Sequence, residues 1–185
     1  MAKRLLNFYN RLLVAHPWKT TVISTGVLCA SGDVLAQQFV EKTRKHDYQR
    51  TFKFFVMGSC FIGPGLRVWY GVLEKYVTGA AQTLAIKKML CDQLLWAPPF
   101  IASFFCISDA LSGKSMTDMK ENLINNYPGA LQVNYYIWPW VQLVNFYFVP
   151  LSHRVLVVNC VALFWNTFLA YTVNKKSIPT AITVE

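Results

Sequence analysis

Charges along this chain stand far apart, and the gaps between them have the length of a lipid bilayer. Lys19 to Glu41 encloses 21 residues broken only by Asp33, and Lys53 to Glu74 encloses 20 broken only by Arg67. Asp92 to Asp109 encloses 16, Arg154 to Lys175 another 20, and Glu121 to Arg154 encloses 32 when His153 is neutral. A spanning helix needs about 20 mostly apolar residues for a hydrocarbon core of about 30 Å. Only 15% of the chain is charged and 54% is hydrophobic, against roughly a quarter charged in ordinary soluble domains. A water-exposed helical bundle would show a charged stripe at 3.6-residue spacing, and 155–173 carries only isolated amides. The expectation is an all-α, polytopic transmembrane bundle of four to five hydrophobic helices, with residues 1–185 forming a single integral membrane domain.

The spacing predicts hydrophobic segments at about 18–40, 52–76, 88–111, 131–150 and 154–173. Four spans plus a tilted or re-entrant piece, or five spans, both fit. Pro64, Pro98, Pro99, Pro139 and Pro150 are expected to kink or end these helices, because proline lacks an amide donor and strikes the preceding turn. Two amphipathic stretches are expected at the interface. In 3–15, Leu5, Phe8, Leu12 and Ala15 share one face while Lys3, Arg4, Asn7 and Arg11 largely avoid it. Its basic, acid-poor character fits mitochondrial targeting, and Arg11 interrupts what would be a secretory core. The second, 115–127, starts from a Ser115 cap and is expected to stop near Tyr127-Pro128-Gly129.

Net charge is +9, but the basic residues sit mainly in short connections such as Lys42, Arg44, Lys45, Arg50 and Lys53. Anchoring at anionic headgroups explains them better than nucleic acid, for which no basic helix face or stacking platform emerges. The five cysteines form no C-x-x-C pair, which argues against a zinc site or a disulfide framework. They read as buried small hydrophobes. His16, His46 and His153 lie near segment ends without metal spacing, and no G-x-S-x-G elbow is present. LSGKS at 111–115 imitates the end of a phosphate loop, but Ser108 stands where the motif needs glycine. No enzyme, cofactor or metal is expected.

The chemistry lies in polar groups set inside the hydrophobic blocks. Gly26, Ala30, Asp33 and Gln37 fall within one helical arc, as do Ser59, Gly63, Arg67 and Tyr70. Asp92 shares a face with Trp96, Pro99 and Ser103, while Asn134, Gln142 and Asn145 gather within a narrow arc. Asn159, Asn166 and Ala170 align in the last block. Arg67 is the one cation inside a block, and Asp33 or Asp92 is its expected partner. Such groups act as glue between helices or line a hydrated pathway where broken helices expose carbonyls.

HPWK (16–19), GD (32–33) with QQ (37–38), GPG with WY (63–65, 69–70), KKMLCDQ (87–93) and NYYIWPWVQLVNFYFVPLSHRV (134–155), with WN (165–166), carry a resemblance over almost the whole chain. They resemble the peroxisomal twenty-two-kilodalton membrane protein / Mpv-seventeen family, nearest its mitochondrial inner-membrane branch. The resemblance implies a weakly selective channel for small solutes or ions in the mitochondrial inner membrane, or alternatively a peroxisomal membrane pore. It further implies effects on membrane potential, reactive oxygen levels and mitochondrial DNA maintenance, and no catalytic residues or cofactor. The expected partners are the bilayer, small solutes or ions and a further copy of the chain. The pore-lining or gating candidates are Asp33, Gln37, Arg67, Asp92, Gln93, Asn134, Gln142, Asn145 and Asn166. The competing expectation is a non-conducting scaffold that organises inner-membrane or nucleoid complexes.

Overall fold

The computed structural model describes the backbone of residues 2–174, and the side chains of that stretch apart from 2, 3, 5, 6, 81, 82, 166 and 169–174. Every regular element among the described residues is helical, in six continuous helices. Helix α1 is Ala2–Ala15. Helix α2 covers 17–40, as Pro17–Leu35 continued by a wider π turn, Ala36–Val40. Helix α3 covers 48–76, as Tyr48–Met57, a π turn at Gly58–Ile62, and Gly63–Tyr76. Helix α4 covers 81–111, as Ala81–Cys91, a π turn at Asp92–Trp96, and Ala97–Leu111. Helix α5 is Met116–Phe148 and α6 is Leu151–Asn174.

The prolines explain two of the wide turns. Pro64 would strike the carbonyl of Cys60, while Pro98 and Pro99 would strike those of Leu94 and Leu95. All three carbonyls lie inside π turns, whose extra width gives the rings room and lets the helix continue. Pro17 opens α2 in its first turn, where a missing donor has no partner to lose. Asp47 caps α3 by accepting from the Arg50 amide at 2.9 Å, and Ser115 caps α5 by accepting from the Asp118 amide at 3.2 Å.

The expected break at Tyr127-Pro128-Gly129 is absent. The structure joins 115–127 and 131–150 into one 33-residue helix with Pro128 and Pro139 inside it. The reason is tertiary. Asn122, Ala130, Asn134, Trp138, Gln142 and Asn145 form one unbroken buried stripe, while Pro128 and Gly129 lie on the exposed side. The stripe packs against α4 on both sides of its π turn, and that packing overrides the local breakers. The third hydrophobic segment also starts earlier than 88, because Lys88 is buried inside α4 with a carboxylate partner.

By length and apolarity, one helix among the described residues qualifies to cross a membrane, Thr83–Leu111; within α6 the described stretch Leu151–Trp165 is also apolar. The amides, threonines and glycines that interrupt the other charge-free blocks dilute their hydropathy. Among the cysteines, Cys29 is buried as expected, but Cys60 and Cys160 are exposed on the helix surfaces.

Helix α2 packs along α3 and α6, and α5 packs against α4 and α6. Helices α2 and α3 meet backbone to backbone: a Cβ on Gly58 would lie 2.8 Å from both Cys29 Sγ and Gly26 Cα. Between α3 and α4 four rings stack in a ladder. Trp69 lies 5.1 Å from Trp96, Trp96 5.2 Å from Phe100, and Phe100 5.2 Å from Phe61. Gly65 leaves space for Trp96, whose ring would stand 3.3 Å from an added Cβ.

Candidate functional site: a polar cavity between the helices

The wide turn at Asp92–Trp96 points Asp92 and Gln93 into the interior, where α5 presents its amide stripe. Asp92 Oδ1 accepts from Trp69 Nε1 at 2.8 Å. Asp92 Oδ2 accepts from Gln93 Nε2 at 2.8 Å and from Gln142 Nε2 at 3.0 Å. Gln142 Nε2 also donates to Tyr70 Oη at 2.9 Å. Asn134 Nδ2 donates to Gln93 Oε1 at 2.9 Å, and Asn145 Nδ2 to Gln142 Oε1 at 3.2 Å. One network thus joins α3, α4 and α5 across the middle of the molecule. Asp92 is 3% exposed and no cation among the described residues lies in salt-bridge range, so three neutral donors carry its hydrogen bonding.

Beside this network lies a cavity bounded by Asp92, Gln93, Asn134, Gln142 and, from α6, Asn159, with apolar walls supplied chiefly by α4. Measured as space open to the centre of a water molecule, it is about 60 Å³. One water needs roughly 10–15 Å³ by that measure, so the cavity has room for a few waters. Trp96 and Trp138 also line it, and the Nε1 donor of each is buried without a partner among the described residues. Trp138 is only 7% exposed. A buried donor left unpaired costs about 1–3 kcal/mol, so these indoles call for an acceptor such as water inside the cavity.

Asp92, Gln93, Asn134, Gln142 and Asn145 are therefore brought together. Asp33 and Gln37 are elsewhere. Asp33 pairs with Arg50 at 2.7 Å and accepts from Thr51 Oγ1 at 2.6 Å and from Gln37 Nε2 at 2.8 Å. Gln37 Oε1 accepts from the Asp47 amide at 2.7 Å, and Arg50 forks onto Glu41 at 2.7 and 2.8 Å. This cluster fastens the 41–47 turn between α2 and α3. Burial alone would lower the Arg50 pKa, but its hydrogen bond to Glu41 and the charges of Asp33 and Glu41 outweigh that and hold it raised.

The partner expected for Arg67 is corrected. Neither Asp33 nor Asp92 reaches it; Arg67 Nη1 meets Thr21 Oγ1 at 3.4 Å, and the guanidinium lies 5.1 Å from the Trp18 ring centre. The side chain of Asn166 lies outside the described residues. Glu74 forms a separate knot, its Oε2 accepting from Lys88 Nζ and Arg154 Nη1 at 2.6 Å each. Asp109 pairs with Lys114 at 2.7 Å and accepts from Asn122 Nδ2 at 2.7 Å. Among the described residues no three His, Cys, Asp or Glu side chains gather as a metal site.

Sequence reasoning left Tyr70, Trp69, Trp96, Trp138 and Asn159 off the candidate list. Tyr70 and Asn159 had a signal, since each falls on a polar stripe. Asn159 donates to Thr25 Oγ1 at 2.9 Å, bridging α6 to α2. Trp96 had a signal too, sharing the Asp92 face, whereas Trp69 and Trp138 read as packing in hydrophobic blocks.

A helical protein with a buried carboxylate and amides lining a small interior cavity falls in the class of polar-cored membrane proteins. Residues 109–170 match the Mpv17 / PMP22 family. The chain is 44% identical over 170 residues to a protein of Xenopus laevis named mitochondrial inner membrane protein Mpv17, covering 91% of this chain and 96% of that one. It is 43% identical over 169 residues to the Homo sapiens protein of the same name, covering 90% and 96%. It is 39% identical over 171 residues to protein sym-1 of Neurospora crassa, covering 90% and 98%. This chain belongs to the Mpv17 / PMP22 family, and its place is the mitochondrial inner membrane. No solved structure matches it.

Proposed function

We propose that the chain is a polytopic bundle of four to five membrane-crossing helices that forms a narrow, gated, hydrated path for small solutes or ions. The observation that carries this is the meeting of Asp92, Gln93, Asn134 and Gln142 on one cavity that also holds two unpartnered indole donors. Ionisable and amide groups in a membrane interior are expensive and mark solute or ion routes when they face a shared cavity. At about 60 Å³ the space admits water and not metabolites, so the described state is the closed one. Opening requires Gln142 to release Tyr70 and Asp92. No catalysis is involved, and a controlled leak of this kind accounts for effects on membrane potential, reactive oxygen levels and mitochondrial DNA maintenance.

The test is flux through liposomes containing the purified chain, with neutral solutes of graded size and with salt gradients. A sharp size cut-off is expected, and Asp92→Asn shifts ion preference while keeping the shape of the site. Tight vesicles, or identical conduction by a well-folded Asp92→Asn protein, would remove the cavity from the route.

A second reading has its own support: the donors on Asp92 are mutually satisfied, as in interhelical glue. A non-conducting scaffold would leave vesicles tight while retaining specific partners in gentle detergent.

A further inference from the structure

A second pocket lies between the start of α2, the middle of α3 and the start of α6, with α1 contributing Leu13. By the measure used for the central cavity it is about 620 Å³, tenfold larger, and it opens to the exterior. Its polar end is Arg67 with Trp18 and Thr21, and its apolar wall is Val68, Leu151 and Val155. No carboxylate lines it.

Arg67 differs from the other cations that the fold gathers in. Arg50, Lys88, Lys114 and Arg154 each hold a carboxylate at 2.6–2.7 Å. Arg67 has only a hydroxyl at 3.4 Å and an aromatic face, and no carboxylate among the described residues approaches within salt-bridge range. Its nearest acidic neighbour along α3, Glu74, is already shared by two cations. The Thr21 hydroxyl donates to Pro17 O at 2.9 Å, so it holds the guanidinium as an acceptor and cannot neutralise it. Trp18 fixes the guanidinium plane from one side by a cation–π contact, leaving its other donors free to fork onto an oxyanion.

We propose that this pocket binds an amphiphilic phosphate, with the phosphoryl oxygens on the Arg67 guanidinium and the apolar body along Leu151 and Val155. An arginine fork suits phosphate geometry, and the volume and apolar wall exceed what an inorganic ion would fill. The source is a lipid headgroup at the depth of Trp18, an interface-belt residue. The site is independent of whether the chain conducts, since its occupant is read by binding and not by flux.

The experiment is thermal unfolding of the full chain in a neutral maltoside detergent, titrated with three probes. These are dihexanoylphosphatidic acid, inorganic phosphate, and dihexanoylglycerol as the same body without phosphate. A saturable rise in Tm with the phosphatidic acid, absent with dihexanoylglycerol, is the expected result. The same shift with inorganic phosphate at similar concentration overturns the amphiphilic assignment, because the apolar wall then contributes nothing; a shift confined to the phosphatidic acid supports it. Arg67→Gln weakens binding by at least about tenfold, as loss of a charge-assisted hydrogen bond does. Gly71→Phe supplies a second variant that leaves Arg67 intact. Gly71 lines the pocket, and a Cβ there meets nothing within 4 Å, so the added ring intrudes on the site and weakens the shift. No shift in the unmodified protein, an equal shift with dihexanoylglycerol, or full binding by both folded variants overturns the proposal.

Discussion

Gln142 donates to Asp92 Oδ2 at 3.0 Å, a contact between residues 50 apart in sequence that locks α5 onto the wide turn of α4. The same nitrogen reaches Tyr70 on α3 at 2.9 Å, so one amide holds three helices. Gln142→Leu removes both bonds and the acceptor of Asn145, and leaves Asp92 one donor short at a buried site. A loss of about 1–3 kcal/mol is expected, measured by denaturant unfolding in detergent. Tyr70→Phe deletes only the hydroxyl and should cost less, about 0.5–1.5 kcal/mol. Equal losses would mean that Asp92 gains little from Gln142.

The Asp33–Arg50 pair gives a second expectation. Arg50→Gln strands a fully buried carboxylate that keeps only Gln37 and Thr51, and breaking such a pair costs about 3–5 kcal/mol. Asp33→Asn together with Arg50→Gln removes both charges and should recover part of that loss. A double-mutant cycle measures the coupling, which contact pairs place at about 0.5–3 kcal/mol. Strict additivity would show that the pair contributes only through Glu41.

Glycine substitutions should split by location. Gly58→Ala places a methyl 2.8 Å from Cys29 Sγ and Gly26 Cα, forcing α2 and α3 apart at about 1–3 kcal/mol. Gly129→Ala meets nothing within 4 Å inside α5 and should stabilise by about 0.4–1 kcal/mol. Both are read as shifts in Tm of the purified chain. A stabilising Gly58→Ala would contradict the close approach.

At the Glu74 knot the asymmetry runs between anion and cation. Lys88 is 2% exposed and Arg154 7%, and both use Glu74 Oε2. Glu74→Gln leaves two buried cations without a carboxylate; with the Glu74 side chain 42% exposed and screened by solvent, the expected loss is about 1.5–3 kcal/mol. Lys88→Met leaves the remaining pair intact and should cost under about 1.5 kcal/mol, close to a volume-conserving exchange. Unfolding midpoints that coincide for the two variants would refute this ranking.

The sequence exposed the helical class because charge spacing and proline position are local signals. It exposed half of the site for the same reason: Asn134, Gln142 and Asn145 share an arc, and Asp92-Gln93 sits just ahead of two prolines. What it hid depends on which helices touch. Asp33 and Asp92 look alike in sequence, yet Asp33 faces Arg50 across a turn while Asp92 faces amides. Pro128-Gly129 carries a stop signal that fails only because Asn122 and Ala130, on either side, are buried on one face. Nothing local could report that two indole donors would be left without partners beside a cavity.

The ring ladder has an optical consequence. Trp69 and Trp96 lie nearly parallel, 12° apart at 5.1 Å, close enough for their excited states to mix and split. Trp69 also grips Asp92, and Trp96 faces the cavity. Parting of α3 from α4 would therefore weaken the exciton contribution of this pair to the far-ultraviolet circular dichroism, where the strong indole transitions lie, giving the molecule a dye-free report of its own opening.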